Sequence, residues 1–276
     1  MYTKFGLTLL LGLLPLCTLH AQNPRATTPD EIVRQLTHSD YRVAFDGVNS
    51  YMVFKPDQRT PAMRTALVQA LKNETERIRQ LKLRSDEWLT LFYEDHGSAE
   101  MSIFLVQEVY ALKDPATIPV LVPWLGGGAS DEMMDFGRPA FEPVLTFLEM
   151  PPPGTTRFAL FGALSTLRMM VDYWGLSTFS ASERERMKQV AVRYIVSYDP
   201  NPEKNSWLPI NRSISLAASL REEVLLQMAY ALVNNNAEMA KRGGTAPEWV
   251  RETAAKALAG TLKERQYRPY EERKRY

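Results

Sequence analysis

The stretch DPATIPVLVPWLGGG, residues 114–128, has the apolar spacing of a helix and three prolines that oppose one. With Asp114 as N-cap and Pro115 as first helical residue, Ile118, Leu121, Val122 and Leu125 fall at i, i+3, i+4 and i+7. That is the stripe of an amphipathic helix. Pro119 and Pro123 then lie inside it. Each removes a backbone donor and crowds the carbonyl four residues back, at about 3 kcal/mol in an isolated helix. Such a segment cannot persist alone; it has to be bent and held by neighbours. The spacing of four sets the prolines along one side, about 110° from the stripe centre, so they distort the helix without taking its core face.

The plan recurs in GRPAFEPVLTFLEM, residues 137–150. Phe141, Val144, Leu145 and Leu148 make the same stripe, with Pro139 near the start and Pro143 inside. The stripes match at an offset of 23 residues and the prolines at 24. A helix or half-helix precedes each (AEMSIFLVQEVYALKD, then DEMMDFG), and TTRFALFGALSTLRMMVD follows the second. One amphipathic helix thus alternates with one short proline-bearing helix.

Elsewhere helix starts recur and strand signals do not. Thr28-Pro29-Asp30-Glu31 combines a capping threonine, a proline at the first helical position and a glutamate three residues after the cap. Thr60-Pro61 repeats the device, and Ser85-Asp86-Glu87, Ser180 with Glu183, Ser219 with Glu222 and Thr245 with Glu248 add further starts. The runs 101–112, 157–174, 185–196 and 222–233 fit a period of 3.6 better than one of two. Asp46-Gly47 falls inside a helix or its kink. The spacing predicts an all-α protein of about ten to twelve helices. Asp199 to Ser215 is the longest stretch without helical pattern, and Arg268-Pro269 is expected to stop the last helix.

The alternation resembles the HEAT and armadillo-type helical repeats. The resemblance is carried by Asp114-Pro115-Ala116 with Ile118-Pro119 and Leu121, and by Phe136-Gly137 before Pro139-Ala140 with Pro143, Val144 and Leu145. It is good over 99–171 and general elsewhere. It implies an irregular, right-handed α-solenoid over residues 22–262, of a kind that binds another macromolecule on its concave surface. No single helix pair hides its apolar stripe, so pairs stack, and stacking makes a groove.

Both ends differ from this body. Lys4, the apolar run Phe5–Leu16 and CTLHA up to Ala21 have the layout of a secretory signal peptide, residues 1–21, cleaved after Ala21. The run is too short to span a bilayer. Export to the periplasm or the exterior is expected. A lipid anchor at Cys17 is disfavoured, because Leu16 stands where a small residue is needed. Cleavage removes the only cysteine, leaving no disulfide or thiolate, and leaves 32 basic against 32 acidic residues. A net charge of zero supplies no field for nucleic acid or an acidic membrane. Residues 263–276 form a basic, tyrosine-bearing tail, read as flexible.

Signals for chemistry are sparse. No HExxH, G-x-S-x-G or phosphate-loop pattern occurs, no cofactor is expected, and no enzymatic activity is assigned. Glu94, Asp95 and His96, with Glu100 a turn later, could hold a hard cation or supply a base, although such residues before a glycine more often form a solvated loop. That cluster carries the alternative reading of a secreted helical enzyme or ligand- or metal-binding domain. Gly126-Gly127-Gly128 is a hinge or a helix cap, and Asp131, Glu132 and Asp135 suit the start of a helix. Trp124 and Phe147 occupy equivalent places at the offset of 23, with Val120 and Pro143 beside them. These four are the candidate ladder that would grip another protein or peptide on a concave face; packing between adjacent repeats is the competing role. The remaining tryptophans, Trp88, Trp174, Trp207 and Trp249, read as core.

Overall fold

The computed structural model describes residues 26–80, 96–127, 130–197, 207–241 and 244–269. All regular structure among them is helical. The sequence signals act locally as expected at several starts. At α1 (Pro29–Leu36), Thr28 Oγ1 accepts from the Glu31 N–H at 3.3 Å, and the Glu31 carboxylate accepts from the N–H groups of Thr27 and Thr28. This reciprocal cap satisfies donors that the first turn leaves open. Asp46-Gly47 lies inside α2 (Tyr41–Val53). Thr60 Oγ1 accepts from Met63 N–H at the head of α3 (Pro61–Gln80), and α4 (His96–Ala111) follows.

The proline-rich stretch then breaks into three short pieces. Asp114 accepts from the Ala116 N–H at 2.9 Å, and Pro115–Thr117 form a 3₁₀ turn. A single α-turn, α5 (Ile118–Leu121), gives way to a second 3₁₀ segment, Val122–Gly127. Pro119 and Pro123 cannot donate, so the coil tightens into i→i+3 turns around the missing bonds. The apolar stripe holds regardless: Ile118, Leu121, Val122 and Leu125 are buried, whereas Pro115 and Pro119 are exposed and Pro123 is half-buried. After α6 (Ser130–Met134) and a 3₁₀ turn at Arg138–Ala140, α7 (Phe141–Glu149) buries Phe141, Val144, Leu145 and Leu148 in the same way.

The longest buried helix is α8 (Arg157–Trp174), capped by Thr156, whose hydroxyl accepts from the Ala159 N–H at 3.2 Å. The 3₁₀ segment 122–127 lies directly on it, because two glycines face each other's backbones. A methyl group on Gly162 would stand 2.2 Å from the Leu125 carbonyl oxygen, and one on Gly126 would stand 2.5 Å from the Phe158 carbonyl carbon. Gly126 of the triple glycine therefore serves close approach rather than a hinge or cap.

Ser180 and Glu183 form a second reciprocal cap for α9 (Ala181–Val192), which runs on into a π-turn at Arg193–Ser197. The remaining helices are α10 (Trp207–Ser219), α11 (Glu223–Asn234), α12 (Asn236–Lys241) and α13 (Glu248–Leu258). Three boundaries depart from the sequence reading. Ser219 ends α10 instead of capping α11, and α13 starts behind Pro247 rather than Thr245. Residues 207–215 are helical although they carry no apolar period. Asn211, Ser213 and Ser215 sit on the buried side of α10, and polar residues there erase the hydrophobic signal.

Each helix packs chiefly on near neighbours in the chain. α1 lies on α2 and α3, α3 on α4, the 122–127 segment and α7 on α8, α8 on α10, and α10 and α11 on α13. Between α7 and α9 the Arg186 guanidinium grips two carboxylates, meeting Glu149 at 2.7 Å and Glu142 at 2.7 Å. Those hydrogen bonds hold the Glu142 carboxyl below its ordinary range. Beyond α13, the N–H of Thr261 reaches Lys256 O at 2.8 Å and that of Gly260 reaches Ala257 O at 3.1 Å, with Gly260 at φ +67°. This left-handed stop ends the helix at Leu258, ten residues before the Arg268-Pro269 stop expected from sequence. Among the described residues no helix is long and apolar enough to cross a membrane.

The glycine crossing has a measurable consequence. In an open helix, Gly→Ala gains about 1 kcal/mol. Gly162→Ala is instead expected to destabilise by about 1–3 kcal/mol through overpacking, lowering Tm by about 2–4 °C per kcal/mol for a chain of this size. Gly244→Ala, where a methyl would meet nothing within 4 Å, should stay within about 2 °C. Calorimetry of the two variants decides whether the crossing is as tight as its geometry.

Candidate functional site

Two of the four candidate ladder residues meet. Trp124, from the 3₁₀ segment, and Phe147, from α7, line one cleft whose other walls are Thr75, Ile78 and Arg79 of α3, the turn Gly154–Thr156 and the start of α8 at Phe158. Trp124 and Phe147 are each 9% exposed, so most of either ring is packed into the molecule and one edge reaches the cleft. The indole N–H of Trp124 donates to Thr75 Oγ1 at 2.8 Å, and that hydroxyl donates to Leu71 O at 2.7 Å. This relay ties the 3₁₀ segment to α3 and fixes the ring. Val120 and Pro143 stand outside the cleft; both are half-buried, and Val120 packs on the core.

The cleft measures about 60 Å³, well below the roughly 300–1,000 Å³ of small-molecule pockets. It has room for a few waters or the end of one apolar side chain. Its rim is polar: Arg79 pairs with Glu76 at 3.0 Å, and Thr155 Oγ1 donates to Pro152 O at 2.6 Å. The sequence reading had the aromatic pair but not the α3 wall. Nothing in the spacing of Thr75, Ile78 and Arg79 marks them apart from an ordinary helix face.

A second polar arrangement was not anticipated. Residues 261–269, of which 263–269 were read as part of a flexible tail, lie extended across α6, α8 and α10. Glu264 accepts from Arg212 Nη1 and from Ser215 Oγ, both at 2.7 Å. The Arg265 carbonyl accepts from Arg168 Nη2 at 2.7 Å, and the Arg265 side chain pairs with Asp131. Tyr267 donates to Asp135 Oδ1 at 2.6 Å, and its ring meets Tyr173 edge-on with centroids 4.9 Å apart. Burial alone would raise the Glu264 carboxyl; the Ser215 hydroxyl and the Arg212 and Arg168 charges outweigh it and hold it below its usual range. Desolvation pulls the Arg168 guanidinium down from its ordinary value, against the opposing Asp172 and Glu264 charges. Asp131 and Asp135 thus anchor this strap, beyond the helix-start role their acidity suggested.

Of the carboxylate–histidine cluster, Glu94 and Asp95 lie outside the described residues, as does Trp88; His96 and Glu100 belong to the first turn of α4, with side chains outside the description. Among the described residues, no three histidine, cysteine, aspartate or glutamate side chains group to hold a metal ion. Trp207 is buried and Trp174 packs 6.0 Å from Phe179, but Trp249 is 44% exposed and so departs from the core role expected of it. Residues 1–25, with the proposed leader and Cys17, also lie outside the described residues. Comparison with protein-family models, curated proteins and solved structures yields no match to this chain.

Thr75→Val preserves shape and removes the relay. The expected loss is about 1–2 kcal/mol of stability, read from the denaturant midpoint, together with a changed near-ultraviolet signal from Trp124. An unchanged midpoint would show that the indole N–H does not depend on this acceptor.

Proposed function

We propose that this chain is an exported, non-catalytic scaffold, an irregular right-handed α-solenoid of HEAT type that holds another protein or peptide on its inner face. The packing order is the observation that carries the reading. α1 packs on α3, the 122–127 segment on α8, α8 on α10 and α10 on α13, with the Trp124–Thr75 bond linking α3 to the 122–127 segment; these make the first row, and α2, α4, α5, α7, α9 and α11, which fall between them in the chain, the second. Contact along the first row is the closer, as it is on the inside of a curve. The aromatic cleft opens between α3, the 3₁₀ segment and α8 of that row and α7 of the second, and its size suits an anchoring side chain of a partner. A stacked array of this kind exposes one long face, and long faces bind macromolecules more readily than small ligands. The leader-like residues 1–21 support export.

Solution scattering tests the shape. A compact chain of the mature length has a radius of gyration of about 18 Å; a curved stack should exceed about 20 Å with a skewed distance distribution, and a symmetric distribution at about 18 Å removes the solenoid. For binding, Ile78→Trp fills the cleft from its half-buried wall. Photo-crosslinking from the α7–α8 turn in the exported compartment should then lose its adduct with Tm unchanged. Persistence of the same adduct excludes the cleft as the anchor.

A further inference from the structure

We propose that residues 261–269 are a resident, displaceable pseudo-ligand. The face formed by α6, α8 and α10 recognises an extended peptide that carries an acidic side chain, a basic one directly after it and a tyrosine two residues further on. A protein partner presenting that pattern enters by displacing the strap. The inference rests on reading the row through α8, α10 and α13 as the binding face.

The asymmetry of the contact supports it. Three of the recognising groups are buried with the strap seated, Arg168 at 3% exposed, Asp131 at 4% and Ser215 at 1%, while Arg212 and Asp135 are half-buried. Of the strap's nine residues none is buried, and Lys263, Arg265, Gln266 and Arg268 are exposed. Its attachments to this face are mostly directed polar bonds, set along Glu264-Arg265-Gln266-Tyr267, with only Leu262 and Tyr267 packed, half-buried, against the core. A segment integral to the core would hold by apolar burial. This one forms one wall, through Leu262, Lys263, Glu264 and Gln266, of an open space of about 580 Å³ whose other wall is Asp172, Ser215, Ala218, Ser219 and Ala257. Segments with few apolar contacts open at low free energy.

The groove also keeps partners for when the strap leaves. Arg168 pairs with Asp172 one turn along its own helix. Asp135 has Lys113 at 3.7 Å, and the Arg212 guanidinium lies 4.7 Å over the Phe161 ring. Breaking a buried pair is severe when it strands a charge; here departure of the strap leaves each of these three groups a contact, so exchange of one extended segment for another is feasible.

The test uses a labelled peptide of residues 261–269, TLKERQYRP, titrated against the full chain. A chain with Glu264→Ala and Tyr267→Ala has a loosened strap and should bind the peptide at least tenfold more tightly than wild type. Adding Arg212→Ala should abolish the gain, and a scrambled peptide should not bind. Equal binding by wild type and loosened chains, or by the scrambled peptide, overturns the proposal. Dimers of the loosened chain in light scattering would make a second copy the occupant and overturn it equally. Should the loosened chain fail to fold, hydrogen exchange on wild type decides: amides of 261–269 exchanging much faster than those of α8 support a displaceable strap, and equal protection overturns it. Failed peptide binding alongside a positive Ile78→Trp result sinks the strap inference alone and leaves the scaffold reading standing.

Discussion

Gly126 against Phe158, and Gly162 against Leu125 and Gly126, fix the distance between the proline-broken segment and α8. Everything in the middle of the molecule follows from that distance. With two missing donors, the 114–127 segment cannot hold its own helical geometry. It keeps its place because its backbone lies against another backbone, with the stripe Ile118, Leu121, Val122 and Leu125 closing the space on either side. A side chain at either glycine would lift the segment away and open the packing beneath Trp124, whose indole is tied across to Thr75 on α3. The close crossing therefore also sets the width of the aromatic cleft.

Polar groups fasten what apolar packing leaves loose. Arg186 clamps two carboxylates of α7 from α9 with charge-assisted hydrogen bonds. Arg59 joins the end of α2 to α4 through Glu108 at 2.6 Å and stacks 4.4 Å over Tyr51. Glu74, 2% exposed, accepts from Ser102 at 2.6 Å while bound by Arg77. These contacts join helices one or two places apart in the chain. They stiffen a succession of local pairings, which is the arrangement expected when each unit is stabilised by the next.

The helical class, the two buried stripes and the exposed sides of the prolines were legible because they depend on period and on backbone donors, both local. Thr28, Ser180 and Asp114 were legible for the same reason, as a cap is read within four residues. Trp124 and Phe147, paired by their offset of 23, line the same cleft. What failed was non-local. Helix α10 was hidden because Asn211, Ser213 and Ser215 occupy its buried face, and their burial has meaning only beside α8 and the returning strap. The α3 wall of the cleft and the docking of Glu264, Arg265 and Tyr267 lie 49 to 134 residues from their partners, a separation no periodicity records.

The polar face of α10 also separates two ways of using small side chains. Serines and alanines at 213, 215 and 217 are buried in α10, where small side chains take up little space, as glycine does at 126 and 162. A helix buried wholly by such residues would gain little apolar area at about 25 cal/mol per Å², and core serines carry a desolvation penalty unless bonded. Ser215 Oγ has two acceptors within reach, Asn211 O of its own helix at 3.2 Å and Glu264, which arrives from outside the helix layer, at 2.7 Å. Helix α10 thus packs on α8 and α13, with α9 and α11 beside it, and its polar side chains reach an extended segment as well. That segment, 261–269, is where Arg212 and Ser215 find a carboxylate that no helix beside them supplies in these bonds.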